Sequence, residues 1–263
     1  MSKLTYKRYR ETCELEQVLA RDVHVPDANK TPNCSLPTDS ISMQILRNIG
    51  GIKNRRAVYI PGDGNCLFST VSVAYSGSMQ FAAVLRLLTA FDLGLNKSSH
   101  EAAHAAKQLE AVSPNYREAC MDGTKNGAYS STWHIQALAN VLGQAIACVY
   151  PRVNGVLDST ADLLNTTFVS NAKKQKQPLR IMWTSGALPQ ANVTWTPNHF
   201  VPLVESFSDD EAVITLPPPS PSESPEEWPL LPESRKTSVC RFGFTILLLV
   251  ALTLYINSGL DIV

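Results

Sequence analysis

Apolar residues follow two distinct patterns along residues 41–204. Short, continuous apolar runs predict strands, whereas longer stretches with apolar residues every three or four positions predict helices. The predicted strands are 57–60, 145–150, 179–183 and 199–204, and the predicted helices are 41–49, 67–75, 79–93, 100–111 and 133–142. The first helix follows Thr38, Asp39 and Ser40, any of which would cap it. This order predicts an α+β fold in which helices flank a small sheet.

The pattern changes on both sides of this region, which predicts four parts. Residues 1–50 form an N-terminal extension to a domain at 51–205. Residues 206–239 contain a cluster of seven of the 17 prolines, interleaved with Ser and Glu, which favours an extended linker. Residues 240–258 are predicted to form a transmembrane helix.

This last prediction depends on residues 242–256, which carry no charge. A helix of that length spans only about 22 Å of a hydrocarbon core that is roughly 30 Å thick. Extension to 240–258 closes most of the gap, with Arg241 reaching the interface. Basic residues on the N-terminal side predict a single-pass tail anchor whose preceding domain faces the cytosol.

Charge and cysteine content restrict the class of protein. The formal net charge is zero, but residues 205–263 hold nine acidic and three basic side chains, so the rest carries +6. That charge is not concentrated as in nucleic-acid-binding domains, which argues against a nucleic-acid partner. The six cysteines include no C-x-x-C pair, and the N-terminus has no apolar signal sequence. We therefore expect reduced thiols rather than a disulfide scaffold or a zinc ribbon.

Candidate chemistry begins in the segment 62–68, which follows a predicted strand and opens a predicted helix. Cys66 would lie at the N-terminus of that helix, where the positive end of the dipole favours a thiolate. Gly62 and Gly64 would form a tight turn whose backbone N–H groups can stabilise an oxyanion. The alternative is a buried, inert cysteine in an ordinary turn. His199 lies 133 residues further on, as expected for a Cys–His pair that meets only in the fold.

Three blocks of sequence resemble the ovarian tumour (OTU) family of cysteine proteases. The block Asp63-Gly64-Asn65-Cys66-Leu67-Phe68 resembles the family's catalytic cysteine motif, 133–139 its middle helix and 198–203 its catalytic histidine strand. The resemblance implies a papain-like α+β fold and a deubiquitinase that hydrolyses isopeptide or peptide bonds after the ubiquitin C-terminus. It implies ubiquitin conjugates as partners and neither cofactor nor metal.

The resemblance also assigns roles to individual residues. Cys66 matches the nucleophile, His199 the general base, and Asp63 the acidic residue whose loop helps to form the oxyanion hole. Many members have Asn or Asp two residues after the histidine to orient its ring, but this chain has Val201. Asn198, Thr196 or Asp63 are the candidates for that task, and a missing orienter would lower the rate.

Two alternative functions remain open. Residues 129–150 and 181–183 are also similar to vertnin, which implies an inactive, regulatory or nucleic-acid-associated module. His100, Glu101 and His104 fit the H-E-x-x-H pattern of zinc metalloproteases, which places both imidazoles on one helix face. That reading lacks a third ligand, because Pro114 ends the helix before the nearest candidate, Glu118.

Overall fold

The computed structural model describes residues 3–20, 25, 34–47, 52, 54–151, 159–170, 176–189 and 195–206. Within these ranges the helices are α1 (Lys3–Ala20), α2 (Ser40–Arg47), α3 (Cys66–Ser76), α4 (Ala82–Leu95), α5 (Lys97–Ala106), α6 (Tyr116–Gly123), α7 (Thr132–Leu142) and α8 (Ser159–Leu164), with a 3₁₀ turn at Leu109–Ala111. The strands are β1 (Arg55–Ala57), β2 (Ile146–Val149), β3 (Thr167–Phe168), β4 (Leu179–Thr184) and β5 (His199–Glu205). The predicted α+β class is confirmed.

The strands form one mixed sheet in the order β1-β5-β4-β2-β3. Strand β5 is antiparallel to both of its neighbours, with Ala57 opposite Leu203 on one side and Thr184 opposite His199 on the other. Strands β2 and β4 are parallel, as a crossover connection requires. The start of β5 therefore lies beside the end of β4.

Alternate residues of β5 face two separate apolar clusters. Phe200 packs in the cluster that also contains Leu67 and Phe68 of α3. Val201 and Leu203 pack in a second cluster with Leu46 of α2. The sheet is thus covered by α3 on one face and by α2 on the other. Both helices pack against β5, the strand that begins at the candidate histidine.

Part of the predicted N-terminal extension packs on the domain. Helix α1 lies against α4, and the hydroxyl of Tyr9 donates a hydrogen bond to the carbonyl of Ala90. The two helices approach closely at Gly94, where an added Cβ would lie 2.5 Å from the Cys13 sulfur. This helix was not predicted from the sequence.

Some predictions concern residues outside the described ranges. The linker at 206–239 falls outside except for Ser206, and the proposed membrane helix at 240–258 falls outside entirely. Among the helices that the structure describes, none combines the length and apolar character needed to cross a bilayer. The cysteines of the described residues, Cys13, Cys34, Cys66, Cys120 and Cys148, are free thiols.

Candidate active site

A tight turn between β1 and α3 holds the candidate nucleophile. Gly64 has a φ of +79°, and a Cβ at this position would lie 1.9 Å from the carbonyl oxygen of Gly127. Only glycine fits both restrictions. The Asp63 carboxylate accepts hydrogen bonds from the backbone N–H of Asn65 at 2.8 Å and from its amide group at 3.3 Å. The Asn65 Oδ1 in turn accepts the N–H of Gly127 at 3.2 Å, so the turn is fixed to a second loop.

Cys66 is the first residue of α3 and is 3% exposed. Burial raises the pKa of its thiol, and the nearby Asp63 carboxylate raises this pKa further. The backbone N–H groups of Phe200 and Leu67 act in the opposite direction and lower this pKa. Backbone groups of α3 and of β5 therefore both favour the thiolate, against the effect of burial.

Strand β5 is fixed against α3 next to the thiol. The hydroxyl of Thr70, one turn along α3 from Cys66, donates a buried hydrogen bond of 2.8 Å to the carbonyl of Phe200. His199 immediately precedes Phe200, so the structure brings the predicted base and nucleophile into one region. Burial lowers the pKa of the His199 imidazole, which favours the neutral ring that a general base requires.

The candidate orienters of His199 differ in position. Val201 is fully buried in the cluster beneath α2 and offers no polar atom. Asn198 and Thr196 are exposed on the segment before β5. The backbone carbonyl of Ile60 raises the pKa of the His199 imidazole, as an acceptor near a ring N–H does. This main-chain group is therefore a further candidate orienter of the ring.

Two carboxylates act on the His199 ring electrostatically. Asp39 and, to a smaller extent, Asp63 raise the pKa of its imidazole against the effect of burial. Asp39 lies at the start of α2, where its Oδ1 accepts the N–H of Ser42 at 2.7 Å. The Ser42 hydroxyl lies 2.9 Å from that of Thr184, the register partner of His199. The sequence signalled Asp39 only as a helix cap and missed its place near the site.

The H-E-x-x-H motif does not assemble a metal site. The His100 Nε2 lies 2.8 Å from an Asp92 carboxylate oxygen, whereas His104 stacks on Trp133 with ring centroids 3.4 Å apart. The Glu101 carboxylate is directed to Lys97 at 2.5 Å, away from both rings. Across the described ranges, no group of three or more His, Cys, Asp or Glu side chains is arranged to hold a metal ion. His100 is therefore paired with Asp92, and His104 is packed against Trp133.

The family model described as the OTU domain of vertnin matches residues 57–113 and 98–184. These matches include Asp63 and Cys66 and end before β5. No curated protein matches the sequence.

Three solved structures are similar to parts of the chain. The OTUD1 OTU domain has 17% identity and a TM-score of 0.35, covering 58% of this chain and 87% of that one. The viral OTU domain protease from Farallon virus has 14% identity and a TM-score of 0.33, covering 60% and 95%. The Hazara virus OTU bound to ubiquitin has 16% identity and a TM-score of 0.31, covering 66% and 89%.

The residues matched by the family model correspond to most of the folded domain. The matched residues run from the end of β1, through the Cys66 turn and α7, to the end of β4. They include the cysteine block and the middle helix on which the resemblance to OTU proteases rests. Residues 57–184 of this chain therefore match the vertnin type of OTU domain.

Proposed function

We propose that this protein is an OTU-type, thiol-dependent deubiquitinase that hydrolyses isopeptide or peptide bonds after the ubiquitin C-terminal glycine. The observation that carries the proposal is the approach of β5 to the N-terminus of α3. There the Thr70 hydroxyl of α3 donates a hydrogen bond of 2.8 Å to the carbonyl of Phe200, the residue that follows His199. A cysteine at a helix N-terminus beside a half-buried histidine is the arrangement that thiol proteases use.

In the proposed reaction His199 takes the thiol proton of Cys66 as the thiolate attacks the carbonyl carbon. The resulting oxyanion is held by backbone N–H groups of the Cys66 turn. The Asn65 N–H is already donated to Asp63, so this role falls to its neighbours, with the N–H of Cys66 as the first candidate. His199 then gives its proton to the leaving amine, and water hydrolyses the thioester with His199 again as base.

The proposed catalytic residues are Cys66, His199 and Asp63. Asp63 acts by fixing the turn through its two hydrogen bonds to Asn65. The Ile60 carbonyl orients the His199 ring, and Asp39 stabilises the imidazolium that forms during the reaction. Ile60 and Asp39 thus take the role of orienting the His199 ring, for which Val201 has no polar atom.

Turnover of ubiquitin with a C-terminal fluorogenic amide tests this proposal. We expect the full-length protein to release the fluorophore, and Cys66→Ala and His199→Ala to reduce kcat/KM by at least about 10³-fold, as for other nucleophile–base pairs. Cys148→Ala is the matched control, since Cys148 is another buried free thiol, in β2. Equal activity of the Cys66→Ala and wild-type proteins would refute the assignment.

The proposal includes membrane attachment with the catalytic domain in the cytosol. Its support is the sequence at 240–258, namely the uncharged run and the basic residues before it. We expect the full-length protein to stay with membranes after alkaline carbonate extraction and to be solubilised by detergent. Release by carbonate alone would contradict insertion.

A second candidate function is a non-catalytic, vertnin-like regulatory or nucleic-acid-associated module. The matching family model, described as vertnin, and the apolar Val201 favour it. Against nucleic-acid binding, Arg55 pairs with Glu205 at 3.1 Å and Arg56 donates to the Leu36 carbonyl at 2.9 Å. Salt-dependent DNA binding without any ubiquitin hydrolysis would select this alternative.

A further inference from the structure

Arg86 is a buried cation that joins the Cys66 turn to the loop after α6. It lies in α4 and is 7% exposed. Its Nη1 donates to the carbonyls of Asp122 at 3.1 Å and Lys125 at 2.7 Å. Its Nη2 donates to the carbonyls of Gly64 and Ala128, both at 2.9 Å. One guanidinium thus connects three parts of the chain that are distant in sequence.

The contacts of Arg86 lie on both sides of Cys66. Gly64, whose carbonyl it binds, is two residues before the thiol, and Phe68 is two residues after it. The guanidinium carbon lies 4.3 Å from the centroid of the Phe68 ring. The cation is therefore held against the first turn of α3 by a hydrogen bond and by a cation–π contact.

No carboxylate of the described residues forms a contact ion pair with Arg86. All four acceptors are neutral main-chain carbonyls, whereas the neighbouring carboxylates bind elsewhere. An Asp122 oxygen lies 3.2 Å from Lys125 Nζ, and Asp63 accepts from Asn65. Burial lowers the pKa of Arg86 to about 10, and the charges of Asp63 and Cys66 oppose that shift. The interaction is reciprocal, so the guanidinium stabilises the Cys66 thiolate.

We propose that Arg86 is a positioning residue of the site, which holds the Cys66 turn in place and supplies the positive charge that stabilises the thiolate. The inference rests on the proposed function for its role in catalysis. Among the described residues, Asp63 and Tyr129 also interact with the thiol electrostatically, and the Asp63 carboxylate opposes the thiolate. The Asp63 carboxylate is needed to fix the turn, and the positive charge of Arg86 offsets its unfavourable effect on the thiolate.

The experiment measures alkylation of Cys66 by iodoacetamide as a function of pH in the full-length protein. Mass spectrometry of the Cys66 peptide separates this thiol from the others. Arg86→Gln removes the charge but keeps two donors, whereas Arg86→Lys keeps the charge. We expect the midpoint of alkylation to rise by about one pH unit in Arg86→Gln, as for the loss of a nearby opposite charge, and by less in Arg86→Lys.

Arg56→Gln is the matched control, because Arg56 also donates to two main-chain carbonyls, those of Cys34 and Leu36. We expect it to lower thermal stability without moving the Cys66 midpoint. A folded Arg86→Gln protein whose midpoint equals that of Arg86→Lys would overturn the proposal. Unfolding of both variants would also overturn it, since Arg86 would then be required for folding alone.

The outcome is separate from that of the proposed function, because iodoacetamide requires no ubiquitin. A shifted midpoint in a protein that does not hydrolyse ubiquitin would retain the role of Arg86 in stabilising the thiolate and reject the deubiquitinase. In an active enzyme, we expect Arg86→Gln to move the pH profile of kcat/KM in the same direction as the alkylation midpoint. Arg86→Lys should restore most of that shift.

Discussion

Two buried histidines should make this fold sensitive to acid. His134, in α7, is 1% exposed, and burial together with the charge of Arg86 lowers its pKa to about 3. His104 is fully buried against Trp133, and burial followed by the neighbouring His100 lowers its pKa to about 3. In the unfolded chain the pKa of both rings is about 6.5. Above that pH both rings are neutral in the folded and the unfolded state, so protonation does not reduce the free energy of unfolding.

As the pH falls below 6.5, the unfolded chain takes up protons that the folded protein cannot bind. Stability is therefore lost progressively between about pH 6.5 and pH 3. At pH 5 each ring costs about 2 kcal/mol, and His104 and His134 together cost about 4 kcal/mol. That loss is a large part of the roughly 5–15 kcal/mol by which domains are stable. The folded state should therefore be much less stable at pH 5 than at pH 7.

The assay is urea unfolding at pH 7 and pH 5, compared between wild type and His134→Gln. The His134 Nδ1 accepts the Ser131 N–H at 3.0 Å in a capping box, and glutamine is a natural replacement at that position. We expect His134→Gln to lose about 2 kcal/mol less than wild type between the two pH values. An equal loss in both proteins would refute the reasoning, whatever their difference at pH 7.

Two further predictions concern the Cys66 turn and its support. Gly64→Ala places a Cβ 1.9 Å from the Gly127 carbonyl oxygen at a φ of +79°. We expect urea unfolding to show that this variant loses about 2 kcal/mol or more of its free energy of unfolding, whereas Gly62→Ala, which has open space around it, should be nearly neutral. Thr70→Val leaves the Phe200 carbonyl without its donor and should lower the free energy of unfolding by about 1–3 kcal/mol, with Thr70→Ser as the control that keeps the hydroxyl. Stability equal to that of wild type in Gly64→Ala or Thr70→Val would contradict the corresponding contact.

The sequence was most informative where apolar periodicity is strong. Helix α3 begins one residue before its predicted start and ends one after its predicted end, and β4 extends only one residue beyond 183. Helix α1 was missed because most of its residues are polar. Its buried Tyr6, Tyr9 and Cys13 do recur at helical spacing, which is the signal that could have revealed it.

The site was predictable only where its residues belong to local motifs. The Cys66 turn could be read from its glycines and its position between a strand and a helix. Arg86 is visible in the sequence as one charge among apolar residues of a helix, but its carbonyl partners lie 22–42 residues away. The effect of Asp39 on His199 likewise depends on α2 packing beneath the sheet. Such contacts follow from tertiary packing, which no local pattern encodes.

The central claim is that Cys66 is a nucleophile for the ubiquitin C-terminus. The most direct test treats the full-length protein with ubiquitin that carries a C-terminal electrophile and maps the adduct by mass spectrometry. We predict one adduct, at Cys66, which Cys66→Ala abolishes and His199→Ala slows. A folded wild-type protein whose Cys66 reacts with iodoacetamide but forms no adduct with this ubiquitin would contradict the account.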